Sequence, residues 1–436
     1  MIKMIFHQLW NQRRQNGWIF MELLVVSFFL WTVIDPVYVL VANRLIDKGY
    51  NSERVYAIRM DIYGKNKAVY DKAMASDSLC KEAYWRMVRI VRSQPEVESY
   101  SISGTWAFPN SSSWNGTQVY ADTASIGKDN YVHTQWYSFV ASEGSDLFRT
   151  YDMRDVRTGE VLKIPEDVEN SLFMSERAAC LLFGSAADAV GKMVYQSNLT
   201  KKVAGVFRDY KHRDYEQPYP LIIYMDKDMV GSSYMTWQYA FIIRLKAGVD
   251  TDAFEKRFQK EVAPQLSIGN FYLKKLQSFH ELSDYYATYS GITNKLRLQY
   301  ALAGFALLCI FLGMLGTFWI RCNARRQEIG VMRSMGASMN DICRQFLLET
   351  WLLVTVAVLV TLPFLLHHAY VNGMYVVEMF RDFVPNPAYW QNRFTPHFYM
   401  VLLISYVLLL LVALVGTYIP VNRAIRTLPA EALRDE

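Results

Sequence analysis

Residues 300–320 read YALAGFALLCIFLGMLGTFWI and residues 398–420 read FYMVLLISYVLLLLVALVGTYIP; neither run holds an Asp, Glu, Lys or Arg. A helix that crosses the hydrocarbon of a bilayer needs about 20 mostly apolar residues, each adding ~1.5 Å. A helix in a soluble core keeps a polar face, and these runs have none. Two further runs, 18–41 and 346–366, bring the expected spans to four. The first is longer than a signal-peptide core and lacks a convincing small-x-small cleavage site after it. It contains Glu22 and Asp35, and Glu349 stands near the start of the third. All three carboxylates are within reach of an interface and are expected there, rather than in a proton relay. Pro363 is expected to kink the third span or to mark where it leaves the membrane.

The 436 residues have a mean hydropathy of +0.03, an average over two populations. Apart from the apolar runs, residues 43–294 are ordinary globular sequence rich in Lys, Asp, Glu, Tyr and Ser, enough to bury a core of its own. Lys and Arg set the orientation. Arg321, Arg325, Arg326, Arg333 and Arg344 lie between the second and third spans, Lys3, Arg13 and Arg14 precede the first, and Arg423, Arg426 and Arg434 follow the fourth. Arg381 and Arg393, between spans three and four, are offset by Glu378 and Asp382. Both termini are therefore expected in the cytoplasm and the large domain outside. In that domain strands are expected at 54–63, 98–108, 171–174, 192–195, 202–207, 221–225, 239–245 and 271–276. Helices are expected at 77–92, 176–183 and 251–261, in mixed order with antiparallel pairing, which is an α+β domain. The loop at 104–117 is a candidate for partner contact.

No G-x-x-x-x-G-K-[ST] run, zinc-protease helix or G-x-S-x-G elbow occurs, and the net charge of +5 forms no basic stripe interleaved with aromatics. An enzyme, a cofactor, a metal site and a nucleic-acid partner are therefore not expected. The five cysteines have no zinc or redox spacing, and Cys80 and Cys180 are expected as free thiols.

Between the second and third spans stands Arg325-Arg326-Gln327-Glu328-Ile329-Gly330-Val331-Met332-Arg333-Ser334-Met335-Gly336-Ala337. Ile329, Met332 and Met335 recur at helical spacing, Gly336 breaks the helix, and Ser338 can cap the next one. Such a helix can lie on the anionic inner leaflet or dock in a groove of a soluble partner, and the residues fit both. Ala301, Gly304, Gly313 and Gly316 permit close helix contact, either across a dimer or within one subunit.

At this segment the chain resembles the MacB/FtsX family of ABC permeases, whose R-x-x-E-I-G-x-x-R-x-x-G-A pattern stands here as Arg325, Glu328, Ile329, Gly330, Arg333, Gly336 and Ala337, continued by Ile342, Phe346 and Glu349. Residues 174–176, 182–184, 190–192 and 203–209 are similar in order and spacing to the family's MacB-type periplasmic domain, and 429–434 to its tail. Residues 43–160 match loosely. Glu22 and Asp35 stand outside the pattern.

The resemblance implies a membrane protein with four transmembrane α-helices and a large α+β extracytoplasmic domain between helices 1 and 2. Its parts are a cytoplasmic N-terminus (1–17), span 1 (18–42), a MacB-like periplasmic domain with stalk (43–294), span 2 (295–320) and a cytoplasmic coupling segment (321–345). Span 3 (346–366), an outer loop (367–397), span 4 (398–420) and a cytoplasmic tail (421–436) follow. It implies a permease subunit in the bacterial inner membrane, paired with a separate ABC ATPase and a second permease, identical or paralogous. An outer-envelope or periplasmic protein is a further expected partner. Arg325, Glu328, Ile329, Met332, Arg333 and Gly336 would couple to the ATPase. Charge reversal at Glu328 or a polar residue at Ile329 is expected to uncouple without unfolding. Efflux, lipoprotein extraction and cell-envelope control all fit. A membrane-anchored sensor or scaffold is the alternative, and a membrane-bound hydrolase lacks its catalytic constellation.

Overall fold

The computed structural model describes residues 13–105, 107–111, 115–196, 199–229, 239–377 and 394–426, without the side chains of 13–16 and 326–327. In chain order the elements begin α1 (Arg13–Leu45), β1 (Val55–Ile62), α2 (Asp77–Arg92), β2 (Val97–Gly104), β3 (Asn115–Val119), β4 (Val132–Val140), α3 (Leu147–Tyr151), β5 (Ser171–Ser175), α4 (Glu176–Phe183) and α5 (Ala186–Ala189). They continue with β6 (Met193–Gln196), β7 (Leu199–Phe207), β8 (Leu221–Asp226), β9 (Tyr239–Leu245), α6 (Thr251–Arg257), β10 (Phe271–Ser278) and α7 (Phe279–Tyr289), then α8 (Ile292–Ala324), α9 (Arg326–Ser334), α10 (Met339–Asn372) and α11 (Phe394–Ile425). Two units result: residues 13–41, 292–377 and 394–426 form one, and Ala42–Gly291 the other. The second ends three residues before the expected 294, where Gly291 at φ +73° separates α7 from α8.

In the sheet unit, strand alternation builds two cores. Tyr56, Ile58 and Met60 of β1 and Phe241, Ile243 and Leu245 of β9 face one side, under α2 and α6. Val55, Ala57, Ala240 and Ile242 face the other, with α3 and α7. A third cluster gathers Leu172, Met174, Val206 and Ile222 beneath α4. The ten strands run β10-β1-β9-β2-β4-β8-β5-β7-β6, with β3 against β4. Pairing is mixed, because β4 with β8 and β5 with β7 are parallel. The expectation of antiparallel pairing is corrected there: helix and loop connections, rather than hairpins, separate these strands, and they leave direction free. Three local expectations also shift. β2 ends at Gly104; α6 ends at Arg257 and passes into a π turn; β3, β4, α3 and α5 are additional. Cys80 is buried, Cys180 exposed, and both are free.

Four helices of the other unit are long and apolar enough to cross a membrane. Each exceeds the ~20 residues that the hydrocarbon requires, so their ends stand beyond it. Phe305, Leu312, Phe364, Leu403 and Leu411 point outward, a surface that suits lipid and not water. Inside, hydroxyls pair across helices: Ser27 donates to Thr361 at 2.8 Å, and Thr350 and Thr417 lie 2.9 Å apart. Pro363 does not end α10, which runs on to Asn372.

The three carboxylates depart from the interfacial expectation. Asp35 is buried, accepts the Tyr375 backbone N–H at 2.7 Å and lies 2.8 Å from His397 Nε2. Glu22, half-buried, rests against Gly313, where a Cβ would meet its Oε1 at 2.5 Å. That close approach lies within one subunit, whereas Gly304 and Gly316 face open space. Glu349 is 1% exposed and is described with the site below. Asp35 and Glu349 share a cause: a partner from another segment compensates each carboxylate, which removes the need to reach water. Expectations for the tail at 429–434, for 378–393 of the outer loop, for 106 and 112–114 of the candidate contact loop and for the turn at 197–198 lie outside the described residues.

The loop between β7 and β8 is buried despite its charges; Lys211, His212, Arg213 and Glu216 are all inside the sheet unit. Burial raises the Glu216 carboxyl to about 7, with Arg213 opposing, and lowers His212 to about 3. Because the folded Glu216 holds its proton to higher pH than the unfolded chain, its favourable contribution is full below about 4.5 and fades as pH rises through about 7. His212 acts in the opposite sense, losing stability as pH falls from about 6.5 towards 3. Glu216→Gln is therefore expected to gain thermal stability relative to the native protein between pH 5 and pH 8. Unfolding of both full-length proteins in detergent, compared at the two pH values, checks this; an unchanged difference would count against a buried, proton-holding Glu216.

Candidate functional site

Arg325 follows α8 directly, and its guanidinium organises the linker to α10. It donates twice to Glu328, at 2.7 and 3.0 Å, and once to Glu349 at 3.3 Å. Arg321 approaches the second oxygen of Glu349 at 4.0 Å. Both guanidinium groups lie over rings, Arg325 over Phe346 and Arg321 over Phe318, at 5.0 and 5.1 Å. Two arginines from one end of α8 thus converge on a carboxylate inside α10, and Glu328 of α9 joins the same network. Hydrogen bonds from Arg325 hold the Glu328 carboxyl below its ordinary value. An arginine is suited to this junction because its planar fork can serve two carboxylates at once.

The turn that follows is set by backbone chemistry. Gly336 adopts φ +93°, the left-handed region that favours glycine, and its N–H donates to Arg333 O at 3.1 Å. Ser338 then caps α10 in a reciprocal box with Asp341, as the sequence suggested. Arg333 Nη1 donates to Ile425 O at 2.9 Å, which satisfies a carbonyl at the end of α11. The short helix is therefore tied to α8, α10 and α11.

Of the six residues expected to face an ATPase, Arg325, Glu328 and Arg333 make these ties and Gly336 makes the turn. Ile329 is 5% exposed and belongs to the bundle core, and Met332 is half-buried against it. A polar residue at Ile329 would therefore disturb folding, so the expectation of uncoupling without unfolding is revised. The outward apolar side chains are Val331, Met335 and Met339, with Met335 at 76% exposure. Val331 and Met335 are four residues apart and share one face with Glu328. Sequence reading grouped Met335 with Ile329 because all three stripe residues fit helical spacing; the signal that separates them is Val331, whose i+4 partner is Met335. Among the described residues no His, Cys, Asp and Glu group could hold a metal.

Residues 300–429 match the family model of the FtsX-like permease C-terminal domain, which takes in α9 and the spans on either side. The macrolide export ATP-binding/permease protein MacB of Escherichia coli K12 is 22% identical over 260 residues, 58% of this chain and 37% of that protein. Its counterpart in Salmonella paratyphi A is 22% identical over 300 residues, 67% of this chain and 42% of that protein. The chain thus spans well under half the length of these relatives. Among solved structures, the periplasmic region of MacB from Actinobacillus actinomycetemcomitans aligns at a TM-score of 0.32 and 11% identity, over 56% of this chain and 97% of that one. The extracellular domain of the ABC-type transporter YknZ from Gram-positive bacteria aligns at 0.30 and 11%, over 50% and 100%. Likenesses of that size add nothing to the fold read from the chain itself. The permease model, by contrast, falls on the linker and the three helices that the arginines tie together. Residues 300–429 of the chain thus carry an FtsX-like permease C-terminal domain.

Proposed function

We propose that the chain is the permease subunit of an ABC transporter of the bacterial inner membrane, with both termini cytoplasmic and the sheet unit outside. Its ATP hydrolysis is supplied by a separate ATPase subunit, and a second permease, identical or paralogous, completes the membrane part. One observation carries this reading: the outward apolar face of α9 sits on a helix fastened by Arg325 to Glu349 of α10. A partner that grips Val331 and Met335 thereby holds two spans at once, and its closure would move both. The cluster of Arg321, Arg325, Arg333 and Arg344 around this linker supports the cytoplasmic placement.

The work is done on the outer side, by movement of the sheet unit, as efflux, lipoprotein extraction or control of cell-envelope enzymes. No observation favours the sensor or scaffold, which would leave the face of α9 without a partner.

Met335→Asp is expected to abolish co-purification of an ABC ATPase from the native host while leaving thermal unfolding within about 0.5 kcal/mol of the native protein, since the side chain is exposed. Ile329→Asp should instead unfold the bundle, because it places a charge in an apolar core. Native protein that brings down no ATPase under gentle solubilisation would sink the permease reading. Glu349→Ala leaves the buried Arg321 guanidinium without its carboxylate and half-buried Arg325 with Glu328 alone, and should cost about 3 kcal/mol of stability. Chemical unfolding in detergent micelles measures that loss, and a change below about 1 kcal/mol would show that the junction is not a structural weld.

A further inference from the structure

The sheet unit is threaded by the chain at two places, where residues 42–49 come in from α1 and where α7 leads out towards α8. Between β7 and β8 runs Asp209-Tyr210-Lys211-His212-Arg213-Asp214-Tyr215-Glu216, a charged octet that ought to be a solvated loop and is instead largely buried. Burying so many charges is unfavourable unless each meets a partner. Asp209 meets Arg177, and Arg213 meets Glu216 within the octet, whereas the partners of Lys211, Asp214 and Tyr215 lie on the two threading segments.

Asp214 has one carboxylate oxygen on each. Its Oδ1 lies 3.0 Å from Lys48 Nζ on the incoming segment, and its Oδ2 accepts from Ser283 Oγ of α7 at 2.7 Å. Tyr215 repeats the arrangement with different groups. Its carbonyl accepts from Asn43 Nδ2 at 3.0 Å, and its hydroxyl donates to Ser290 Oγ at 3.0 Å. Lys211 secures the incoming side further, donating to the carbonyls of Asn43 and Ile46 at 2.6 and 3.1 Å, where α1 ends. A cation at a helix C-terminus satisfies carbonyls that have no partner within the helix. Gly49 at φ +76° lets the incoming chain pass so close to the carbonyl of Asp209 that a Cβ would collide with it.

We propose that Asp214 and Tyr215 are positioning residues that bridge the incoming and outgoing segments of the sheet unit, so that a displacement of either is felt by the other and by the sheet. The part of this inference that concerns transmission rests on the permease reading; the bridge does not. Adjacent residues with side chains reaching in this way make two parallel links, so that the loop holds both segments through two independent sets of atoms. The links are short, between 2.7 and 3.0 Å, and join part-buried groups.

The test is amide hydrogen exchange of the full-length protein in nanodiscs, with each link cut from one side. Lys48→Met removes the incoming partner of Asp214, and Ser283→Ala removes the outgoing one. Each is expected to raise exchange about tenfold in its own segment and also in the opposite one, 43–49 or 283–290, with β9 unchanged as the internal control. Loosening confined to the mutated side in both variants would overturn the bridge and leave two separate anchors. Should Lys48→Met also loosen β9, Ser283→Ala and Tyr215→Phe decide, since the latter keeps the carbonyl link to Asn43 and removes the bond to Ser290, together with the one its hydroxyl accepts from Arg213 within the octet. Exchange measured this way needs no ATPase, so its failure counts against the bridge alone. If cross-loosening is found but no variant alters an ATP-dependent change in the same peptides, the bridge stands and its part in transmission is overturned.

Discussion

Hydrocarbon offers no partner to a polar group, and that single constraint arranges most of this molecule. Backbone groups in the spans satisfy one another as helices, which is why the apolar runs become α1, α8, α10 and α11 and nothing else. Side chains obey the same demand. Thr350 and Thr361 return their hydroxyls to carbonyls one turn back and still reach a hydroxyl on a neighbouring helix. Asp35 meets His397 and a backbone N–H; Glu349 meets two arginines. Ser27, Thr350, Thr361, Asp35 and Glu349 thereby become ties between elements.

A tie made of charge behaves differently from a packed leucine. Apolar side chains slide past one another at small cost, because dispersion is shared over many weak contacts. A guanidinium fork is directional, and pulling it apart strands a charge in a medium that cannot solvate it. The Arg325 junction accordingly holds α9 to α10 through directional bonds. Its buried face, Ile329 and Met332, adds area, and Val331 and Met335 are left exposed on the other side.

How much of this is legible in the sequence depends on the range of the interaction. The spans could be read because the absence of charge over 21 residues is a local fact, and so could Gly336 and Ser338, whose effects reach only three or four residues. The partners of Asp35 and Glu349 could not, because they come from other helices; Arg325 and Glu349 stand 24 residues apart and meet only when the linker turns back. Parallel pairing of β4 with β8 escaped for the same reason, since strand direction is set by the connections and not by the strand's own pattern. In α9 the failure was of another kind. A helix with apolar residues on two faces, one in the bundle and one exposed, yields a stripe whose period is right and whose sides cannot be told apart.

The octet between β7 and β8 was passed over because charge-rich stretches are usually solvated loops, and that expectation is sound wherever a loop has only itself to bind. Here the loop lies where the chain comes in and goes out, and both segments bring unsatisfied groups: the last carbonyls of α1, the Asn43 amide, the hydroxyls of Ser283 and Ser290. An apolar plug could fill that space but could not satisfy those groups, so it would be left with the cost of unpaired donors and acceptors. Charged and polar side chains answer the demand and fix geometry in doing so. The same logic that places Glu349 between two arginines in the bundle thus places Asp214 between Lys48 and Ser283 in the sheet unit. In both, the residue that looks most out of place in the sequence is the one that holds two segments together.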